Sequence, residues 1–141
     1  MNVPFSTHYL KEHNFMLTKA SGDLSDSDLI QHIISLNEKT EKLLILKELS
    51  DCREIKSVAS LSTQTATLAA KIEQKKSASR LAILIPKDNK AVYGLTRAYK
   101  MFSEDKREAV SIFHNLDEAP VWLTADNTEE KEALISFMNN T

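Results

Sequence analysis

Hydroxyl side chains crowd one short stretch of the chain, which contains Ser57, Ser60, Ser62 and Thr63. A helix is predicted to follow over residues 61–75, and the free N–H groups and dipole at a helix start favour an anion or a phosphoryl group. A serine directly before a helix is also a common N-cap. We therefore predict that Ser60 is the N-cap of this helix, and we name it as a candidate phospho-acceptor or anion site.

A carboxylate and a guanidinium follow the most apolar run of the chain. Residues 42–51 read as a buried central strand, because the run is short and rich in branched apolar side chains. Asp51 and Arg53 then lie at its carboxyl end, where open α/β sheets bind their ligands. The alternative to a ligand site is that Asp51 and Arg53 form an ion pair that only fixes the loop. Cys52 lies between them, and we predict a partly buried, unreactive thiol rather than an activated one.

Aromatic residues recur on a predicted amphipathic helix over residues 89–102 and once beyond it. Together they could line an apolar pocket, although aromatic residues at helical spacing more often pack in a core. This aromatic set is Tyr93, Tyr99, Phe102 and Trp122. The candidate binding residues of the whole chain are Asp51, Arg53, Ser57, Tyr93, Arg97 and Tyr99.

Motifs of common enzymes and metal sites do not occur in this sequence. The chain has 2 glycines and 1 cysteine, and its 4 histidines lie on different predicted elements without ligand spacing. The glycine-rich phosphate loops, the nucleophile elbow and the helical zinc motif are all missing. We therefore predict no catalytic residue, no metal, no cofactor and no enzymatic activity.

Composition narrows the class of protein further. The 141 residues suit one domain over residues 1–141, and 18 basic against 20 acidic residues give a net charge of -2. This balance argues against nucleic-acid binding, and no apolar run is long enough for membrane insertion or a secretory signal. The single cysteine fits a reducing compartment, so we predict a cytoplasmic protein.

The pattern of apolar residues predicts an α/β fold with a mixed sheet of about five strands and four to five helices. The first two strands form an antiparallel hairpin, and Ser25 with Asp28 forms a capping box for the first helix. The predicted strands are residues 7–11, 15–20, 42–51, 79–85 and 109–114. The predicted helices are residues 25–40, 61–75, 89–102, a short one after Asp117, and 127–139.

This order of elements resembles the SpoIIAA-like branch of the STAS superfamily over residues 8–123. The resemblance is carried by the leucine-rich strand, the Arg-x-Ala strand at residues 80–82, and the segment Ile-Phe-His-Asn-Leu-Asp-Glu-Ala-Pro-Val-Trp-Leu that ends at Leu123. It implies a small α/β domain with helices chiefly on one face, to which the helix at residues 127–139 is an addition.

Anti-sigma-factor antagonists of this superfamily carry an Asp-Ser-Ser-Gly-like motif at the start of the helix after the central strand, and a partner kinase phosphorylates its serine. The matching stretch here is residues 59–62, where Ser60 keeps the hydroxyl but Ala59 replaces the acid. We therefore predict that Ser60 is a structural cap rather than a switch.

The resemblance implies a non-enzymatic regulatory or protein-interaction module with a protein partner. The alternative is a small carrier or sensor for an apolar or amphipathic ligand, because STAS-like folds resemble lipid-carrier domains and the aromatic set could line a cavity. The sequence leaves open whether the chain forms a homodimer.

Overall fold

A five-stranded mixed sheet lies at the centre of the structure, a computed structural model that describes residues 3–141. The strand order is the chain order, from β1 to β5, with β1 and β2 antiparallel and all later pairs parallel. The strands are β1 (Phe5–Leu10), β2 (Phe15–Ser25), β3 (Lys47–Ser60), β4 (Lys76–Leu84) and β5 (Arg107–Phe113). The predicted α/β class and mixed sheet are confirmed.

Helices cover both faces of this sheet. Three of them, α1 (Asp26–Thr40), α2 (Thr63–Ile72) and α3 (Lys90–Ser103), lie over one face. The other two, α4 (Glu118–Thr124) and α5 (Thr128–Asn139), pack on the opposite face. The resemblance implied helices chiefly on one face, and the second layer arises because Leu123 and Leu134 bury against the sheet there.

The predicted amino-terminal hairpin is confirmed. A single 3-10 turn, Lys11–His13, joins β1 to β2, and Asn14 closes it in the left-handed region with φ of 48°. Asparagine tolerates that conformation better than most residues. On β2, Phe15 and Leu17 point to the α4–α5 side, while Ala20 points to the α1–α3 side. The alternation gives each helical layer its own apolar core.

The predicted central strand is wrong in its bounds. Leu43 and Leu44 are exposed and precede the strand, which begins at Lys47. The segment before it is fixed by polar contacts instead, because the Tyr9 hydroxyl donates to the Leu44 carbonyl and the Leu46 N–H to the Asn14 carbonyl. An apolar run therefore marked the approach to the strand and not the strand itself.

Two segments outside the predicted strands are in fact strand. Residues 21–25 belong to β2 and residues 52–60 to β3, and the two pair in parallel as far as Ser25 and Ser60. Three register shifts interrupt this pairing. Bulges accommodate polar residues and a glycine while the backbone hydrogen bonds continue. The extension therefore reaches past the end of β4, with Leu24 and Ile55 buried beneath it.

Some of the predicted helix starts are confirmed by the structure and others are corrected by it. The capping box of α1 is present, with Ser25 and Asp28 exchanging hydrogen bonds of 3.0 and 3.1 Å. Helix α3 begins one residue later than predicted, and Asn89 is its N-cap because Asp88 is in the left-handed region. Asp117 takes the N-cap position of α4, but its side chain makes no capping bond.

The buried face of α2 is formed by small side chains and not by its largest apolar ones. Leu68 is 49% exposed and Ile72 38% exposed, whereas Ala66, Ala69 and Ala70 are buried. Three alanines on the inner face allow a close approach of the helix to its neighbours, and the larger side chains then point outward.

A buried ionic cluster lies beneath the carboxyl ends of α2 and α3. The Arg107 guanidinium on β5 donates to Glu48 on β3, at 2.7 Å, and to Glu73, which follows α2. Lys76 bridges the same two carboxylates at 3.3 and 3.1 Å, and the Tyr99 hydroxyl on α3 donates to Glu73. Glu73 is buried although it is acidic, because its carboxylate neutralises buried cations.

Charge compensation keeps Glu48 ionised inside the protein. Burial alone would raise the pKa of Glu48, but attraction to Arg107 and then to Lys76 outweighs it and lowers the pKa to about 2. The cluster pairs two carboxylates with two cations, so loss of one member leaves a buried charge without its partner.

Replacing Arg107 with methionine should therefore destabilise the protein strongly. We expect Arg107→Met to lose about 3–5 kcal/mol of unfolding free energy at pH 7, because Glu48 and Glu73 remain buried with only Lys76 to compensate them. Urea unfolding measures the loss. The control Lys131→Met removes an exposed pair with Asp126 and should cost less than about 1 kcal/mol. Equal losses in the two variants would show that the cluster contributes no more than a surface pair.

Candidate functional site

Ser62, and not Ser60, is the N-cap of α2. The Ser62 hydroxyl accepts the Thr65 N–H at 3.1 Å, and the Asp26 carboxylate at the start of α1 accepts the Ser62 N–H at 2.7 Å. Leu61 lies in a turn closed by its N–H to the Val58 carbonyl. The predicted cap at Ser60 is therefore wrong, because β3 extends to Ser60 and α2 begins at Thr63, two residues later than predicted.

Ser60 lies at the exposed tip of the β2–β3 extension. It is the last residue of β3 and the register partner of Ser25. Ser57 lies on the same strand, and its hydroxyl accepts the Ala59 N–H at 3.2 Å. The proposed anion or phospho-acceptor role of Ser60 remains a prediction, now without a competing role as helix cap.

Asp51 and Arg53 form the ion pair that was the alternative to a ligand site. The guanidinium donates twice to the carboxylate, at 2.9 Å for each bond. Burial alone would raise the pKa of Asp51, but hydrogen bonds from the Arg53 side chain and backbone outweigh it and lower the pKa. Asp51 is the register partner of Leu84, the last residue of β4, so the pair lies level with the carboxyl end of that strand. It is within β3 and not beyond its end.

The predicted aromatic set does not come together. Tyr93 lies on the outer face of α3 beside Arg97 and His114, while Phe102 lies under Lys71. Trp122 packs between Phe113 and the Arg80 guanidinium on the α4–α5 side of the sheet. The possibility of one pocket lined by all four is therefore excluded, because the sheet separates Trp122 from α3.

A different cavity lies between the sheet and the layer formed by α1, α2 and α3. Its volume is about 120 Å³. Tyr99 is the one residue of the aromatic set that lines it, together with apolar side chains such as Ile33, Ile83 and Val92.

Polar groups line this cavity only at a few points. Thr18 on β2 and Ser50 on β3 are register partners, so their side chains lie next to each other on the floor of the cavity. Cys52, two residues along β3, also lines it. Burial and then the Asp51 charge raise the pKa of the Cys52 thiol to about 12, so it is protonated at neutral pH. The predicted unreactive cysteine fits this environment.

His32 on α1 closes one side of the cavity. Its imidazole stacks on Phe5, with ring centroids 4.1 Å apart and planes 7° from parallel. Burial lowers the pKa of His32 to about 4, against the opposing attraction of Glu73 and together with repulsion from Lys39 and Lys76. The ring is therefore neutral at physiological pH.

Two further kinds of site are missing from residues 3–141. No three histidine, cysteine or acidic side chains there come together as a metal centre would require. None of the helices in that range combines the length and apolarity needed to cross a bilayer.

Solved structures share this arrangement of sheet and helices. A protein of the DUF3478 family with a SpoIIAA-like fold, from Shewanella loihica, is similar with a TM-score of 0.55 and 19% identity, over 84% of this chain and 93% of that chain. An anti-sigma factor antagonist from Mycobacterium paratuberculosis is similar with a TM-score of 0.53 and 12% identity, over 88% and 97%. No family profile and no curated protein matches. The chain therefore has the SpoIIAA-like fold that the sequence predicted.

Several residues that shape these sites escaped sequence reasoning. Asp26 stabilises the start of α2 from 36 positions away, and no local pattern signals such a contact. Thr18 carried a usable signal, because its hydroxyl follows the apolar run of residues 15–17, whereas Ser50 lies in a stretch of strand that is itself mostly polar. Polar residues at the core positions of a strand often mark a functional cavity.

Substitution of the two serines distinguishes the cap from the exposed tip. We expect Ser62→Ala to lose about 0.5–2 kcal/mol of unfolding free energy, because the Thr65 N–H loses its acceptor. Ser60→Ala should change it by less than about 0.5 kcal/mol, since Ser60 is exposed. Urea unfolding at pH 7 compares the two. A larger loss for Ser60→Ala would restore the cap that the sequence predicted.

His32 should make stability fall as the pH decreases. The unfolded chain binds a proton near pH 6.5, but the folded protein resists it until about pH 4, so the contribution present above pH 6.5 is lost between these values. We expect His32 to account for roughly 2–3 kcal/mol of the loss between pH 7 and pH 4. His32→Phe keeps a ring against Phe5 and should remove that part of the pH dependence. Parallel slopes for the two proteins, measured by urea unfolding at each pH, would contradict the assignment.

Proposed function

We propose that this protein is a non-enzymatic regulatory module that binds a partner protein through the connection between β3 and α2. Its residues 1–141 act as one domain in the cytoplasm. The similarity of the fold to an anti-sigma factor antagonist, over 88% of this chain, is the observation that carries the proposal.

The surface at this connection supports the proposal. Ser60 and Ala59 are exposed at the tip of the β2–β3 extension, directly before the start of α2. The contact between Asp26 and the Ser62 N–H fixes the helix start relative to α1. A rigid support beneath an exposed tip favours recognition, because binding then orders few additional groups.

The position of Ser60 also supports regulation at this surface. Its hydroxyl is exposed and takes no part in capping, so a phosphoryl group would add charge without disturbing the start of α2. The resemblance places a phosphorylated serine at this part of the fold. We therefore propose that charge at Ser60 controls partner binding, in place of the cap predicted from the sequence.

The aromatic set gives no support to the alternative function, a small carrier or sensor for an apolar or amphipathic ligand. Tyr93 and Trp122 lie on opposite sides of the sheet and share no pocket with Tyr99.

Charge substitution at two exposed serines tests the proposed surface. The immobilised chain should capture a stoichiometric protein from a lysate of the source organism, and the affinity of that protein is then measured for each variant. We expect Ser60→Asp to change the affinity by tenfold or more, which is about 1.4 kcal/mol. The matched control Ser77→Asp places the same charge on an exposed serine at the opposite end of the sheet. It should change the affinity by less than about twofold.

Three outcomes would contradict the proposal. Repeated capture of nothing above background would contradict the existence of a protein partner. Equal effects of Ser60→Asp and Ser77→Asp would show that the contact is elsewhere or depends only on net charge. A loss of stability in Ser60→Asp, measured by urea unfolding, would attribute its effect to folding and not to the surface.

A further inference from the structure

We propose that the cavity between the sheet and the α1–α3 layer is a binding site for a small neutral molecule that has a single ring or a short carbon chain and one hydroxyl group. This site is distinct from the partner surface at the β3–α2 connection, and its occupancy does not depend on a protein partner.

The volume of the cavity sets the size of the ligand. Protein interiors are close-packed and contain few voids larger than a water molecule, whereas this cavity holds about 120 Å³. An engineered apolar cavity of about 150 Å³ takes up a benzene ring. The space here therefore suits one six-membered ring or a chain of comparable size, and it is too small for a nucleotide or a long acyl chain.

The lining determines the charge of the ligand. Within residues 3–141, no Asp, Glu, Lys or Arg side chain lines the cavity. A charged ligand would lose its hydration there without a compensating partner, which is a large penalty. Burial also keeps the His32 imidazole neutral, so it supplies no cation for an anionic ligand. The cavity thus selects against ions and fatty acids.

Two adjacent hydroxyls offer free hydrogen-bonding groups to the cavity, whereas the hydroxyls of Thr96 and Tyr99, which also line it, donate to the Val92 carbonyl and to Glu73. Thr18 and Ser50 lie side by side on its floor as register partners of β2 and β3. No fully buried side-chain oxygen or nitrogen among the described residues lacks a hydrogen-bond partner, and neither of these two hydroxyls forms a side-chain hydrogen bond, so both are open to the cavity. A ligand hydroxyl can donate to one and accept from the other.

The stacked rings of Phe5 and His32 form the wall on the side of β1. Both residues also line a surface depression between β1 and α1, so this pair alone separates the depression from the cavity at that point. The stacked pair therefore bounds the cavity on the side of β1 and α1.

NMR titration of the full chain with phenol and with benzene tests the site. We expect saturable shifts of the amide signals of Ser50, Ile83 and Val92 with phenol. The double substitution Thr18→Val with Ser50→Ala should weaken the binding of phenol by about tenfold or more, because both hydrogen bonds to the ligand hydroxyl are lost, and leave the binding of benzene unchanged.

A substitution that fills the cavity provides a second test of the site. Ala66 on α2 lines the cavity, and Ala66→Leu should abolish the binding of both probes. The matched control Gln64→Leu adds the same side chain on the exposed side of α2 and should leave binding intact. The folded state of each variant is checked from its own amide spectrum before titration.

Several results would overturn the proposal. The first is that neither probe gives saturable shifts in the wild-type chain. The second is that a folded Ala66→Leu variant binds the probes as well as the wild type does. The third is that the double variant loses equal affinity for phenol and for benzene. Saturable binding of dodecanoate at the same amides would also overturn it, because a long anionic chain exceeds the cavity in size and carries a charge that the lining leaves uncompensated.

Discussion

The buried ionic cluster around Arg107 is the interaction on which the α1–α3 side of the sheet depends. One guanidinium on the edge strand β5 joins a carboxylate on β3 to a carboxylate that follows α2, and Tyr99 connects α3 to the same centre. Four elements are thereby held at the amino end of the parallel strands. Among residues 3–141 the opposite end has no comparable buried cluster, and there β2 and β3 extend past β4 towards the proposed partner surface.

Tyr99 relates the cluster to the cavity. Its hydroxyl donates to Glu73, while its ring lines the space under α3. Burial and then the nearby Glu73 charge raise the pKa of Tyr99 well above its usual range, so it remains a donor. A side chain fixed in this way cannot swing inward to fill the void. The hydrogen bond from Tyr99 to Glu73 thus helps to preserve the cavity between the sheet and the α1–α3 layer.

Sequence patterns predicted the elements better than their ends or their distant contacts. The hairpin and the capping box of α1 depend on neighbouring residues, and both were predicted correctly. The extension of β2 and β3 was missed because hydrogen bonds between two backbones hold its polar residues in a strand. The cluster was missed because Glu48 and Arg107 lie 59 positions apart. The candidate site residues could not be grouped from the sequence for a similar reason. Tyr93 and Tyr99 occupy one helix but face different surroundings.

The order of the strands has a consequence for synthesis of the chain. Each strand pairs with the one made just before it, so β1 to β4 can assemble as they leave the ribosome. Glu48 and Glu73 are by then in place, but the guanidinium that neutralises them belongs to β5 and emerges later. A nascent chain that stops short of residue 107 therefore has two carboxylates with only the Lys76 cation on β4 to compensate them. Full charge compensation of the cluster must await the last strand.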